Sequence, residues 1–459
     1  MPRIAVTPLP AAGGLWEAGR GSTAAGLAEG GLMRIAVITT GARGDTEPFV
    51  ALAVRLMRDG HSVTLAARPD FAGLAAAHGV EFAPAGRPYQ PFIAGAARAS
   101  AIGSGHLLRQ VRYGLTQRKY FSDRLSQDAW RAAQGADAVI YKYSWIAGYT
   151  IAEKLGIPCA AAMPFPLTPT SMFPSFMLGR GIDRGPRRNR AVWSVTGQVV
   201  WQLLRRDDSA LRRQLGLRPL PVQGPAARQQ GEAMPVYYAY SPAVLPRPAD
   251  WPQRVLVTGY WFLDPPPGWQ PPDGLARFLA GGPPPVSIGF GSMASRDPQA
   301  TLDLALRALD LSGQRGVLLS GWAGIGTGRA LPGHVFAAGS IPHSWLFPRM
   351  AAVVCHGGAG TTGAALRAGV PPVITPLAAD QPSWARVVHG LGGGPAPIPF
   401  PSLTAERLAA AIRQAVTDRQ IRQRAADLGT QIRAEDGPGR TAELFTQHVA
   451  CTAGKPTRR

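Results

Sequence analysis

Twice along this chain an apolar, strand-like run ends in a glycine-rich turn that opens a helix. Arg34-Ile35-Ala36-Val37-Ile38-Thr39-Thr40 leads into Gly41-Ala42-Arg43-Gly44-Asp45. Ala351-Ala352-Val353-Val354-Cys355 leads into His356-Gly357-Gly358-Ala359-Gly360-Thr361-Thr362. Continuous apolar runs suit strands buried on both faces, and strands alternating with helices argue for parallel sheets covered on both sides. After the first turn Phe49, Leu52, Ala53, Leu56 and Met57 recur at helical spacing. Pro48 suits a first helical turn, and Gly60 is a stop. Segments 61–67, 137–141 and 157–163 continue the strand series, with a helical stretch over 145–155. A second series reads strand over 286–289, helix over 297–311, then strands over 316–320, 351–355 and 371–375. The expected fold class is α/β, with two halves of similar style whose parallel sheets face a central cleft. In open sheets of this type ligands bind beyond the carboxyl ends of the strands.

The length of 459 residues exceeds one ordinary core and fits two or three domains. Residues 1–32 are Gly/Ala-rich and lack the apolar core of a signal peptide, so they read as a disordered extension or an upstream mis-start. A first half follows over 33–241, whose late part, 164–235, is rich in Pro, Phe, Trp and Arg. Prolines crowd 242–272 together with Trp251, Trp261 and Trp269, which reads as a linker. The second half spans 273–435, and 436–459 is a terminal helix and tail.

Lys and Arg outnumber Asp and Glu by 48 to 28, a formal charge of +20. That balance draws polyanions and anionic surfaces. No basic run interleaved with aromatics appears, so nucleic acid is not an expected partner. The nearest basic cluster is Arg184, Arg187, Arg188 and Arg190. A peripheral contact with an anionic membrane surface is the expected alternative. No stretch reaches the roughly 18 apolar residues of a spanning helix. Cys159, Cys355 and Cys451 have no metal-ligand or disulfide spacing; they read as two buried apolar residues and one exposed tail thiol, which fits a reducing cytoplasm.

The turn at 356–362 carries the strongest chemistry. Glycines allow close backbone approach to a phosphate, and a helix start presents free N–H groups with partial positive charge. Thr361 and Thr362 could add hydroxyl donors. A small-residue turn needed only for packing fits the same letters. Gly-Lys-Ser/Thr is missing, so this is not a Walker loop, and Gly41-Ala42-Arg43-Gly44 departs from Gly-x-Gly-x-x-Gly. Asp45, followed by Thr46, Glu47 and Pro48, could be a helix N-cap or a general base in the cleft.

These motifs closely resemble the family 1 glycosyltransferases of the two-Rossmann GT-B fold, especially bacterial and fungal sterol glucosyltransferases and glycosyltransferases of antibiotic pathways. The resemblance is carried by Ile-Pro-His-Ser-Trp-Leu-Phe-Pro-Arg at 341–349, the turn at 356–362, Ala-Leu-Arg-Ala-Gly-Val-Pro at 365–371 and Asp-Gln-Pro at 380–382. Gly-Ala-Arg-Gly-Asp-Thr-Glu-Pro-Phe at 41–49, Glu-Lys-Leu-Gly-Ile-Pro at 153–158 and Gly-Phe-Gly-Ser-Met at 289–293 match as well, so it spans about 33–450.

It implies an inverting transfer of a hexose or deoxyhexose from a nucleotide diphosphate sugar to a hydroxyl of an apolar acceptor. No cofactor or metal is implied. Asp45 would be the catalytic base. Ser292, His356, Gly358, Ala359, Gly360 and Thr361 would hold the diphosphate, and Asp380 and Gln381 the sugar. Trp322, Ile341 and His343 would flank the base, Trp322 being equally a core residue. The first half would bind the acceptor, where 163–167 and 172–177 read either as an apolar pocket or as ordinary core. Cys355 replaces a His found in many relatives and reads as packing. A sugar-nucleotide epimerase and a non-catalytic accessory protein share this fold; the first needs carboxylates around the sugar, the second loss of the base position. Acceptor identity, donor nucleotide and oligomeric state stay open.

Overall fold

The computed structural model describes residues 31–89, 124–143, 147–178, 183, 185–224, 234–290, 297–319 and 330–453. Most of the expected extension at 1–32, and both Ser292 and Trp322, lie outside these residues. Two parallel sheets form the frame. The first contains β1 Arg34–Ile38, β2 Ser62–Ala67, β3 Glu81–Pro84, β4 Ala138–Lys142, β5 Cys159–Met163, β6 Val236–Tyr238 and β7 Val255–Val257. Their order is β3-β2-β1-β4-β5-β6-β7. The second contains β8 Val286–Gly289, β9 Gly316–Leu319, β10 Val335–Ala338, β11 Ala352–Cys355 and β12 Pro372–Ile374, in the order β10-β9-β8-β11-β12.

Register follows burial. Val37 of β1 pairs with Leu65 on one side and Ile140 on the other. Ile35 through Ile38 are all fully buried. Each large apolar side chain removed from water in this way stabilises the fold by about 1.5–3 kcal/mol. The order reverses between β1 and β4 in the first sheet and between β8 and β11 in the second. Those are the places where open α/β sheets form crevices.

The helix after β1, α1, runs Arg43–Arg58. It therefore starts five residues before Pro48, which is not in the first turn as its sequence suggested; Pro48 lies inside the helix and has no N–H to offer the carbonyl of Gly44. Helix α2, Ala147–Leu155, precedes β5, and α3, Pro186–Gln214, is a single helix of 29 residues in the stretch rich in Pro, Phe, Trp and Arg. In the second half α4, Ala359–Arg367, opens directly after the glycine-rich turn, and α5, Gln381–Gly390, follows β12. Among the described residues no helix is long and apolar enough to cross a membrane.

The halves differ from the sequence reading at their junction. The proline-rich stretch at 242–272 contains β7, the edge strand of the first sheet, so it is not linker throughout. The last helix, α6 Gly437–Ala453, returns to the first half. There Phe445 and Val449 share a core with Phe49, Val50 and Trp261, and Arg55 pairs with Asp436. A second core joins the halves through Trp384, whose ring lies 5.1 Å from Phe176 and 5.5 Å from Tyr240.

Candidate active site

The two reversal points face one cleft of about 560 Å³. Its first wall comes from the β1–α1 turn. Gly41 sits at φ 125°, and a Cβ there would fall 2.2 Å from Oδ2 of Asp45, so only glycine lets the carboxylate fold back over the turn. Asp45 is not the N-cap. It lies at the third helical position, where Oδ2 accepts the Ala42 N–H at 3.0 Å. Its other oxygen, Oδ1, is 2.6 Å from Nζ of Lys142. That lysine closes β4, is buried, and also donates to the Thr40 carbonyl at 2.8 Å. One donor on each oxygen thus fixes the carboxylate, while the side chain stays a quarter exposed toward the cleft.

The second wall is the β11–α4 turn. Gly357 has φ 88°, and a Cβ there would strike Ile374 at 2.4 Å. Gly358 is the N-cap of α4 and supplies no side chain, so the helix has no cap of its own, and among its first N–H groups that of Ala359 faces the Asp380 carboxyl. Gly358, Ala359, Gly360 and Thr361 all line the cleft. Thr362 does not: it is fully buried, with its hydroxyl turned to the Cys355 thiol.

His356 lies over this turn, its Nε2 2.6 Å from where a Gly358 Cβ would stand. Desolvation, helped by nearby His343, lowers its pKa to about 4, so the ring is neutral at pH 7. Its Nδ1 is buried without a hydrogen-bond partner.

Asp380 and Gln381 open α5 and line the same cleft. Burial pushes the Asp380 carboxyl up to about 7, with the charge of Asp45 across the cleft adding to the rise; the Ala359 N–H pulls the other way. Gln381 uses its carbonyl oxygen on the N–H groups of Leu377 and Ala378, at 2.8 and 3.2 Å. Its amide NH₂ is the part left for a ligand. Just before Asp380, Ala379 has φ 56°, a left-handed conformation found among the described residues in no other non-glycine. Ile341 and His343 line the cleft, with the imidazole stacked on Phe347 at 4.4 Å.

Of the apolar stretches, 163–167 reaches the cleft through Pro164 and Phe165. The stretch 172–177 does not line it: Phe173 packs on Trp193 and Trp251, Phe176 on Trp384, and Met172 faces outward. Sequence reasoning missed two residues of the first wall. Lys142 is one, visible only as a lysine ending an otherwise apolar strand. Arg43 is the other; it pairs with Glu47 at 2.6 Å and reaches Ser340 of the second half.

Residues 35–174 match the glycosyltransferase family 28 N-terminal domain, and residues 324–447 the C-terminal domain of erythromycin biosynthesis protein CIII-like proteins. Sterol 3-beta-glucosyltransferase UGT80B1 of Arabidopsis thaliana is 34% identical over 433 residues, covering 91% of this chain and 68% of that one. The sterol 3-beta-glucosyltransferase of Cryptococcus neoformans is 33% identical, and this chain spans 27% of its length. O-mycaminosyltylonolide 6-deoxyallosyltransferase of Streptomyces fradiae is 36% identical over 412 residues, 88% of this chain and 95% of that one.

Solved structures share the fold. CalG4, the calicheamicin glycosyltransferase, has a TM-score of 0.66 at 20% identity, covering 92% of this chain and 99% of its own. SsfS6 of Streptomyces sp. SF2575, complexed with thymidine diphosphate, has a TM-score of 0.58 at 20% identity, covering 90% and 99%. Two facing sheets, a cleft at both reversal points and relatives of this extent together make the chain a member of the GT-B family 1 nucleotide-sugar glycosyltransferases.

Proposed function

We propose that this chain moves a hexose or deoxyhexose from a nucleotide diphosphate sugar to a hydroxyl of an apolar acceptor, in a single displacement that inverts the anomeric centre. The observation that carries this reading is the opposition, across one cleft, of a fixed carboxylate, Asp45, and the start of α4, whose glycine N-cap supplies no side chain. The diphosphate lies on the N–H groups of Gly358, Ala359, Gly360 and Thr361, where the helix end favours negative charge. His356, neutral at pH 7, donates a hydrogen bond there rather than a charge. Asp380 and the amide of Gln381 hold sugar hydroxyls. Ile341 and His343 flank the nucleotide base.

The acceptor enters beside Pro164 and Phe165. Asp45 takes the proton from its hydroxyl as the oxygen attacks the anomeric carbon and the bond to the diphosphate breaks. Negative charge then grows on the leaving group, at the helix end already placed to receive it. Donors fixed in advance at developing charge are the largest single source of rate in many enzymes. Sterols, macrolide aglycones and glycolipids share the required chemistry of a hydroxyl on an apolar body. The deciding experiment offers UDP-glucose and dTDP-sugars with and without a panel of apolar alcohols. Acceptor-dependent nucleotide release, with a β-glycoside from an α-linked donor by NMR, is the expected result. Release independent of any acceptor, or a retained configuration, rejects the reading.

A further inference from the structure

Helix α3 presents two apolar faces. One is in the core, with Trp193, Trp201 and Leu211 buried. On the opposite side Val195, Val199 and Leu203 follow at a spacing of four and are 64%, 55% and 44% exposed. Two more exposed aliphatic side chains flank this ridge. Val222 lies beside it, because its carbonyl accepts from the side chains of Gln198, Trp201 and Gln202. Met172 lies near the helix start, where the carbonyls of Ser171 and Phe173 accept from Asn189 and Trp193. Soluble surfaces scatter single aliphatic residues; five on one side of a domain form a patch.

Charge brackets the patch. Arg187, Arg188 and Arg190 stand exposed before it, Arg206 and Arg213 after it. Arg188 and Arg206 fall on the same ridge as Val195 and Val199, roughly 27 Å apart. The acidic residues of α3 are Asp207 and Asp208, and Asp208 is buried beneath Thr150. An aliphatic centre with arginines at both ends is the pattern of a helix lying in a lipid interface. Along the chain the patch adjoins the cleft: the segment that lines it with Pro164 and Phe165 runs on to Met172.

We propose that the outward ridge of α3, with Met172 and Val222 beside it, docks on an anionic lipid bilayer, so that an apolar acceptor passes along the 164–178 segment into the cleft. The route rests on the apolar acceptor proposed above; the docking itself is read without any transfer.

Flotation with vesicles of phosphatidylcholine alone, and with roughly one third phosphatidylglycerol, measures the docking. The protein is expected to float with the anionic vesicles, less with neutral ones. Arg188→Glu with Arg206→Glu should weaken this by about thirtyfold or more. Val195→Ser, Val199→Ser and Leu203→Ser together should weaken it by at least about tenfold. All five positions are exposed, so both variants should melt with the wild type. They should transfer sugar normally to a dissolved acceptor and poorly to one embedded in vesicles. Failure of the wild type to float, or flotation untouched by both variants, overturns the proposal. So does a dimer that the triple variant dissociates, since the ridge then belongs to a second copy. Flotation without sugar transfer from any donor leaves the docking standing and rejects the proposed function; transfer without flotation does the reverse.

Discussion

The turns after β1 and β11 are built alike and end differently. Each has one glycine at positive φ, Gly41 at 125° and Gly357 at 88°, and each opens a helix at a reversal point of its sheet. In the first, the carboxylate of Asp45 folds back on the Ala42 N–H, so the helix caps itself and carries a negative group at its own start. In the second, a glycine N-cap gives the helix start no cap of its own; it lies beneath a neutral histidine, with the Asp380 carboxyl beside the Ala359 N–H alone. A self-capped helix end is closed to a diphosphate, and a bare one attracts it. On the function proposed above, one βα unit supplies a base and the other an anion site, by a difference of one side chain in the first turn.

The sharpest way to break this contrast is Asp45→Asn. The amide oxygen can still accept from Ala42, so the cap survives while the base is lost. Turnover should fall by about 10²–10⁴ with nucleotide affinity unchanged by calorimetry. Because Lys142 would be left buried and unpaired, the double variant with Lys142→Met serves as the folded control. A turnover within a few-fold of wild type would remove Asp45 from the chemistry.

Next in size is the opposite wall. His356→Ala should weaken the binding of nucleotide diphosphate by about 10–100-fold, the worth of one hydrogen bond to a charged group, and lower the rate with it. Gly358→Ala should act in the same direction, since its Cβ would push into the imidazole. Normal donor affinity in both would place the diphosphate elsewhere.

Both turns were legible in the sequence because each is local: an apolar run, a glycine and a helix start within a dozen letters. The strands around them were legible for the same reason. What escaped was set by partners far along the chain. Lys142 matters only because β4 lies beside β1, which no local pattern states. β7 was hidden among prolines, and its place as an edge strand is where prolines nearby do least harm. The reading of Pro48 as a first-turn residue failed because Asp45 caps the helix from inside, moving its start forward to Arg43. Thr362 looked like a phosphate donor by spacing alone, yet the helix turns it into the core.

A third test concerns the two carboxylates of the cleft. Asp380 is raised to about 7, so its folded-state pKa lies above the unfolded value near 3.8. Its contribution to stability is fully present below about pH 4 and is lost as pH rises through 7. In the proposed function sugar hydroxyls donate to the ionised form, so binding would oppose that proton. The affinity for nucleotide sugar, divided by that for the bare nucleotide, should rise by up to about tenfold between pH 6 and 8. His356 does not titrate in that window, having a pKa of about 4. Asp380→Asn should flatten the profile; a slope that persists would assign it to another group.

The smallest expected effect separates how the two carboxylates are held. Asp45 is fixed by an ion pair and a backbone N–H, whereas Asp380 follows Ala379 at φ 56°. A left-handed alanine costs roughly 1 kcal/mol, and such strain persists where the surroundings over-determine it. Ala379→Gly removes the strain but adds unfolded-state freedom worth about 0.4–1 kcal/mol. The two nearly cancel, so Tm should move by no more than about 2 °C. If the strain aims Asp380 at the sugar, the freer loop should still cost about threefold in kcat/KM for the donor, the effect of a small misplacement at a reacting centre. A clear rise in Tm with unaltered kinetics would mean that the conformation is a consequence of packing, and that Asp380 is placed by α5 alone.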